Sequence, residues 1–467
     1  MRISQINIRP SFAAILMSIP VVLIVHFRAA CLDFTYDECW TFLGYASSDI
    51  LSVLTNANPA ANNHVLHSLA MKLTAALFGT SEYALRIPVL VSMLVFMYFL
   101  FKLSLRLHSK WWWLPFFSVL YQPYLLDYFA TARGYALALA CTSGVIYHLD
   151  RLFTKQRSTD AWWAIGFSLL AAYANFTYLL VLCSAMLALV FGYLKDKNGK
   201  RFLWPVISGL FVAILMYYAP ISRLIEANEL YYGGSTGFFT DTLGSLANRT
   251  LYNRFGGFYL SVFYAMTLAL ASGLLLLNLA RGTYKQIGFW IAWIMVLTSG
   301  GSVAQHYLIG SPYLIDRTAL FLLPLLLLSG YWLLFNSRSS PWKYRIGILL
   351  AAACMVNTAL NLNFSYQLDF KEHADTGKAI RIIQEHAAPE ARFHIGKSTY
   401  MNATIMFYKR QLDVHQILPA GLEFCDEAGE TPYYYLFAKD VDCVDGKDVE
   451  FLKRFPVSDT YLYKRRP

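Results

Sequence analysis

Apolar residues along this chain are gathered into long runs that short polar connections separate. A helix that crosses a bilayer needs about 20 mainly apolar residues. Eleven stretches meet or approach that length and predict an all-α polytopic membrane protein. They are residues 12–32, 84–105, 111–126, 133–153, 161–174, 176–194, 202–220, 257–280, 286–304, 317–336 and 344–362. The first run is longer than the apolar region of a signal peptide, so we expect it to be retained as a helix.

The basic residues of the connections predict the orientation. They cluster in alternate connections, which places all the clusters on the face of the basic N-terminal tail and makes that face cytoplasmic. The clusters lie at 102–110, 151–157, 195–201, 281–285 and 338–345. The opposite face receives a first outer loop (33–83), the junction at 127–133, a long outer loop (221–256) and everything after residue 363. The simplest location is therefore a bacterial inner membrane, with the N-terminus cytoplasmic.

Composition agrees with this class of protein. Hydrophobic residues make up 57% of the 467 residues and charged residues only 15%, against roughly 25% in a soluble domain. The formal net charge of +10 could suggest nucleic acid, but the basic residues do not gather on one polar domain. Membrane lipids, and not nucleic acid, are the expected surroundings.

Residues 364–467 carry more charge and shorter apolar runs than the membrane module at 1–363. They predict a small extracytoplasmic α/β domain. Its helices are expected at 375–386 and 399–409, and two of its strands at 391–395 and 433–437. Cys425 and Cys443 lie in this exported part, where an oxidising compartment would permit a disulfide, so a bridge and two free thiols are both open.

The stretch from Asp33 to Phe78 is too polar to span a membrane, and it carries Asp37 and Glu38 just after the first apolar run. Two carboxylates at a membrane surface are costly to bury. One explanation is a cap: Asp37 would begin a helix over 38–46. The other is a functional site. Further short helices are expected at 49–55 and from Asn62-Asn63-His64 to Phe78.

His64 and His67 are three residues apart and would share a helix face. A tetrahedral metal site needs four ligands, and the sequence offers no convincing third and fourth. We therefore predict no metal ion.

Several short motifs follow one another in a recognisable order. Asp37-Glu38 comes first, then Asn63-His64-Val65-Leu66, then Ser-Glu-Tyr-Ala-Leu-Arg-Ile-Pro at 81–88, Ala-Arg-Gly-Tyr-Ala-Leu at 132–137 and Tyr-Leu-Ile-Asp-Arg at 313–317. This order resembles the polytopic C-type (GT-C) glycosyltransferase superfamily, in particular the branch of protein O-mannosyltransferases and lipid A aminoarabinose transferases. The resemblance covers the first 150 residues or so well.

The resemblance implies an inverting enzyme of the cell envelope that moves a hexosyl or pentosyl group from a polyprenyl-phosphate donor to an acceptor on the outer face. Protein, lipid and glycan acceptors all stay open, and no cofactor is implied. The implied catalytic acids are Asp37 as general base, Glu38 as its orienting neighbour, and Asp127. The implied substrate-binding residues are Asn63, His64, Arg133, Tyr135, Tyr313 and Arg317, with both arginines near the donor phosphate.

The chain departs from the family pattern at two points. Val65-Leu66 replaces the usual Pro-Pro after His64, and Thr131 stands where the family has Glu two residues before the motif arginine. Asp127 is the nearest acid that could substitute for it. These departures leave the second acid and the donor sugar open.

Each candidate also has a purely structural interpretation. Arg133 could anchor a helix end at the interface. Asp127 could form a salt bridge with Arg133, and Arg317 an ordinary pair with Asp316. The Tyr231–Gly234 segment could be a mobile lid or a plain loop.

Two other functions stay open. A secondary transporter would carry its ionisable residues near the bilayer midplane and show repeated halves. Here the acids lie at the outer boundary, and no half-repeat is visible. A structural membrane protein would leave the convergence of Asp37, Arg133 and Arg317 unexplained. The glycosyltransferase is the favoured hypothesis.

Overall fold

The protein, seen here in a computed structural model, is mostly helical, with a small sheet near its C-terminus. The structure describes residues 9–196, 199–336, 341–418 and 431–466. Within these ranges seven helices are long and apolar enough to cross a membrane. They are Pro10–Cys31, Glu82–Leu107, Phe176–Lys195, Arg201–Glu226, Phe258–Arg281, Ile287–Ile309 and Pro341–Asn361. The total of eleven spans stays a prediction.

The other predicted apolar runs are helical too. Tyr135–Lys155 has 21 residues, and Ser158–Ala174 and Leu322–Asn336 have 17 and 15. The prediction of one continuous helix over 111–126 is wrong: Trp113–Leu120 is followed by a separate helix, Pro123–Phe129. Pro123 cannot donate a backbone hydrogen bond and restricts Gln122 to extended backbone, so the helix restarts there.

Short helices along the first outer loop position the polar residues. They are Tyr36–Trp40, a wider π-helical turn at Thr41–Ala46, Ile50–Thr55 and Val65–Phe78. The prediction that Asp37 caps the first of them is wrong, because Thr35 is the cap: its hydroxyl accepts from the Glu38 N–H, and the Glu38 carboxylate accepts from the Thr35 N–H. This reciprocal cap leaves the Asp37 side chain available for other contacts.

The two predicted helices of the C-terminal region are confirmed, at Thr376–His386 and Asn402–Gln411. Strand β1 is Ile395–Lys397, later than predicted, and β2 is Tyr433–Phe437 as predicted. Two further strands, β3 (Val449–Phe455) and β4 (Thr460–Arg465), complete a sheet in the order β1-β2-β4-β3. Within this sheet of the described residues β1 and β2 pair in parallel, and the β2–β4 and β4–β3 pairs are antiparallel. Cys425 lies outside the described residues, so its pairing with Cys443 stays a prediction.

The C-terminal region packs directly on the first outer loop. Phe34 stacks on Phe407 with ring centroids 4.6 Å apart, and its N–H donates to the Tyr408 hydroxyl at 2.7 Å. Phe42 and Met71 of the loop share a core with Ile380 and Phe407. A larger core lies among the membrane helices. The division of the chain at residue 363 stays a prediction, but this shared core brings the tail close to Asp37.

Candidate functional site

Asp37 lies between two arginines that are distant in the sequence. Its Oδ2 atom is 3.5 Å from Nη2 of Arg133 and 3.6 Å from Nη2 of Arg317. The side chain is nearly buried, at 7% exposure, and Oδ2 makes no hydrogen bond within the described residues. A carboxylate that faces two guanidinium groups without being closed off by a hydrogen bond is still able to accept one from a ligand.

Arg133 is held by backbone as well as by charge. Its Nη1 donates to the Thr41 hydroxyl at 2.7 Å and to two carbonyls, of Asn62 at 3.0 Å and of Asp37 at 3.3 Å. It therefore ties the start of the first outer loop to its middle. It is buried, so the alternative of a lipid-interface anchor does not describe its position.

Arg317 projects from a short 3-10 turn, Asp316–Ala319, that precedes the helix Leu322–Asn336. Its guanidinium lies over the rings of Tyr232, at 4.7 Å from the centroid, and Phe370, at 5.3 Å. It is not a boundary pair with Asp316, because Asp316 accepts two hydrogen bonds from Arg249, at 2.9 and 3.2 Å. Aromatic faces can hold a guanidinium while its N–H edges stay open to an anion.

The two other predicted catalytic acids are engaged elsewhere. Glu38 is fully buried and pairs with Arg86, and it also accepts from the Ala132 N–H. Asp127 is paired with Arg28 and not with Arg133, so that structural alternative is wrong. Asp127 also accepts from the Tyr252 hydroxyl at 3.0 Å and from the Leu368 N–H at 2.9 Å. Both acids join segments of the fold next to the site.

His64 and Tyr135 lie beside each other, with ring centroids 5.1 Å apart. The His64 Nδ1 atom is 2.9 Å from the Ala174 carbonyl. A Cβ at Gly134 would be 1.9 Å from that carbonyl oxygen and 2.5 Å from Nδ1, so the glycine of the Ala-Arg-Gly-Tyr motif permits this close approach. Burial lowers the pKa of His64 well below its ordinary value, so the ring is neutral near pH 7.

Asn63 and Tyr313 make mainly structural contacts. The Asn63 amide donates to Asn56 at 3.0 Å and accepts from Ser68 at 3.0 Å, so it closes the loop on itself. Tyr313 pairs by backbone with Gly234, at 2.8 and 2.9 Å. A Cβ at Gly234 would lie 2.4 Å from Asp241, so Gly234 is packed against that side chain, whereas Tyr231 is exposed.

His67 is fully buried, three residues after His64. Within the described residues no group of three or more His, Cys, Asp or Glu side chains comes together as a metal site would require. The His pair thus has no third ligand from these residue types in the described part of the chain.

The segment just after the last membrane helix was missed from sequence. Asp369 accepts from the hydroxyls of Tyr124, at 2.9 Å, and Tyr128, and its other oxygen is 3.2 Å from Nε of Arg249. His373 stacks on Tyr36, next to Asp37, with centroids 5.8 Å apart. Burial lowers the pKa of His373 to about 4.

The amino-acid sequence does contain a pattern that indicates this segment. The segment Asp369–His373 begins seven residues after the last predicted apolar run, and Asp37 lies five residues after the first. Two polar runs that leave the membrane on one face can meet there, and the structure brings these two together.

These features define a multi-pass membrane protein whose polar site lies where the outer loops and the C-terminal region meet. The predicted fold class is confirmed.

Among solved structures the chain is similar to ArnT from Cupriavidus metallidurans, ArnT being a lipid A aminoarabinose transferase. In its apo state the identity is 12%, the TM-score 0.57, and the alignment covers 97% of this chain and 98% of ArnT. With undecaprenyl phosphate bound the identity is 12%, the TM-score 0.56 and the coverages 96% and 97%. The arabinofuranosyltransferase AftD from Mycobacteria matches with 12% identity, a TM-score of 0.47 and coverages of 97% and 40%. No family model and no curated protein matches the chain.

Proposed function

We propose that this protein is an integral-membrane glycosyltransferase that moves a sugar from a polyprenyl-phosphate donor to an acceptor at the face carrying Asp37. The observation that carries the proposal is the position of Asp37 Oδ2, 3.5 and 3.6 Å from the guanidinium groups of Arg133 and Arg317. An ArnT of the same fold has been solved with undecaprenyl phosphate bound, which supports a lipid-phosphate donor.

The reaction is a single displacement with inversion. An acceptor hydroxyl oxygen forms a bond to the anomeric carbon as the bond from that carbon to the phosphate oxygen breaks. The hydroxyl proton passes to the Asp37 carboxylate, and the bonding electrons leave with the polyprenyl phosphate. A base on the acceptor and positive charge at the leaving phosphate are the two contributions such a transition state needs.

Arg317 is the better placed of the two arginines to take the phosphate. Among the described residues its guanidinium is held by two aromatic faces and by Asp37, whereas Arg133 is also bonded to a hydroxyl and two carbonyls. A phosphate that takes over the Arg317 contact would free Asp37 to face the acceptor. Donor binding would in this way prepare the base.

The remaining residues take supporting roles in this proposal. Tyr135, His64 and Tyr36 line the sides of the site. Glu38, Asp127, Asn63 and Tyr313 hold the loops in place. The protein would lie in a bacterial inner membrane, with its N-terminus cytoplasmic and its C-terminal region outside.

The test is a transfer assay on the purified full chain in detergent. Radiolabelled polyprenyl-phosphate hexoses and pentoses would be supplied with a membrane extract as the source of acceptor. Label is expected to move to an acceptor with wild type and not with Asp37→Asn. Equal transfer by both proteins would overturn the role of Asp37. Coupled movement of a solute across vesicles, without label transfer, would favour a transporter.

A further inference from the structure

Arg249 lies on the short helix Ser245–Thr250 of the long outer loop and connects two segments of the candidate site. Its guanidinium donates to both carboxylate oxygens of Asp316, from Nε at 2.9 Å and from Nη2 at 3.2 Å. The same Nε is 3.2 Å from an oxygen of Asp369. Among the described residues Arg249 forms ion pairs with these two acids and none with Asp37. Its influence on the site is therefore expected to pass through Asp316 and Asp369.

Asp316 has an unusual backbone conformation that this helix holds. Its φ is +47°, in the left-handed region that residues other than glycine rarely adopt and that Asp and Asn tolerate best. Its N–H donates to the Ser245 hydroxyl at 2.9 Å, and its carboxylate accepts from Arg249, one turn further along the same helix. The helix thus binds Asp316 by backbone and side chain. Because Arg317 is the next residue, this conformation sets the direction in which the Arg317 side chain leaves the backbone.

Asp369 extends the same support to the other side of Arg317. Its Oδ2 atom accepts from the Tyr124 hydroxyl at 2.9 Å, while Arg249 lies at its other oxygen. The next residue, Phe370, is buried, and the Arg317 guanidinium lies 5.3 Å from the centroid of its ring. Arg249 therefore holds both the residue before Arg317 and the residue before a ring against which Arg317 packs.

We propose that Arg249 is a positioning residue for sugar transfer, which holds the Arg317 guanidinium next to Asp37 and ready for the donor phosphate. The inference rests on the proposed function, in which Arg317 takes that phosphate. Arginine suits this task because its planar fork holds Asp316 at two points and still faces a second carboxylate, which a lysine could not do. Precise placement matters, since a displacement of about 1 Å in an active site can cost about 10²-fold in rate.

The first test measures the affinity of the purified full chain in detergent for undecaprenyl phosphate. Arg249→Gln is expected to weaken binding about tenfold, as for the loss of one charge-assisted hydrogen bond to the phosphate. In the Arg317→Gln background the same substitution should change the affinity less than about twofold, because the side chain that it positions is gone. Equal effects in both backgrounds would show that Arg249 acts independently of Arg317 and would overturn the proposal. Wild-type affinity of Arg249→Gln would overturn it too.

Two further variants complete the binding experiment. Arg254→Gln is the matched control, because Arg254 is an exposed arginine of the same loop that donates to the Leu360 carbonyl at 2.7 Å, and it should bind like wild type. Asp316→Asn keeps a residue that tolerates left-handed backbone but removes the charge that Arg249 holds. It should weaken binding in the same direction, and it replaces Arg249→Gln in every measurement if that variant does not fold.

A structure of Arg249→Gln separates this inference from the proposed function. The inference requires Nη2 of Arg317 to leave its position 3.6 Å from Oδ2 of Asp37, whether or not a polyprenyl phosphate binds. A variant that keeps this distance overturns the positioning role even where sugar transfer is demonstrated. If the wild type does not bind undecaprenyl phosphate, the phosphate assignment at Arg317 fails, and the structure of the variant still decides whether Arg249 positions that side chain.

Discussion

Arg86 holds both carboxylate oxygens of Glu38, with Nε 2.8 Å from Oε1 and Nη2 2.9 Å from Oε2. The same guanidinium donates to the carbonyls of Ala29, Leu32 and Asp33. This two-point ion pair fixes the end of the first helix against the short helix that carries Asp37. Adjacent acids in the sequence therefore differ in surroundings: Glu38 is fully paired and Asp37 is open on one side.

Glu38→Gln is expected to destabilise the protein. Removing one partner of a buried ion pair leaves the other charge uncompensated, which typically costs about 3–5 kcal/mol. Thermal unfolding in detergent measures the effect, with the exposed Glu226→Gln as control. A variant with wild-type stability and no transfer activity would instead make Glu38 a participant in the chemistry.

Asp37→Asn should lose far more activity than stability. Oδ2 makes no hydrogen bond within the described residues and is 3.5 and 3.6 Å from the two guanidinium groups, so the loss of stability should be smaller than in Glu38→Gln, whose partner Arg86 bonds both carboxylate oxygens. Transfer should fall by roughly 10²–10⁴-fold, the usual contribution of a general base. Asp49→Asn is the matched control in the same loop, because asparagine still caps the helix Ile50–Thr55. Wild-type turnover by Asp37→Asn would contradict the assignment.

Substitutions of Arg133 and Arg317 should differ in their effect on stability. Arg317→Gln is expected to lower kcat/KM for the donor by about 10²–10³-fold, as for loss of one preorganised donor, with little change in Tm. Arg133→Gln should lower both kcat/KM for the donor and Tm, because Arg133 also donates hydrogen bonds to the Thr41 hydroxyl and the Asn62 carbonyl. Parallel donor kinetics and melting curves check this, with exposed Arg281→Gln as control. Unchanged donor kinetics in Arg133→Gln would show that Arg133 has a structural role and does not bind the donor.

Asp33 should make the stability depend on pH. Burial raises the pKa of this carboxyl from 3.8 to about 7, while the Gly377 N–H, 2.9 Å from Oδ2, partly opposes the shift. Between about pH 4 and 7 the folded state holds a proton that the unfolded state has lost, so stability from this group falls as pH rises through that window.

Asp33→Asn should remove this dependence. The difference in Tm between wild type and variant should grow from pH 5 to pH 8, with the variant the more stable at pH 8. Thermal unfolding at several pH values measures it, and exposed Glu385→Gln is the control. A constant difference across the range would show that Asp33 is already ionised at pH 5.

Much of the fold could be predicted from the sequence because each membrane helix is a local feature. A run of about 20 apolar residues is enough to favour insertion into the membrane, and a helix satisfies its own backbone hydrogen bonds. The strand at 433–437 and the helix at 375–386 could also be predicted, because the pattern of apolar residues within each segment is local. Strands β3 and β4 were missed, because their charged and apolar residues do not alternate regularly and because they depend on pairing with each other.

The candidate site, too, could be predicted from the sequence only in part. The pattern of apolar runs is enough to predict that Asp37, Arg133 and Arg317 lie near one face of the membrane, since each closely adjoins such a run. It does not predict that Asp37 lies between the two arginines, or that Glu38 pairs with Arg86 and Asp127 with Arg28, because packing in three dimensions sets those contacts. The partners of a buried charge come from segments that are far apart in the chain. No local sequence pattern indicates which of several arginines will lie close to a given carboxylate after folding.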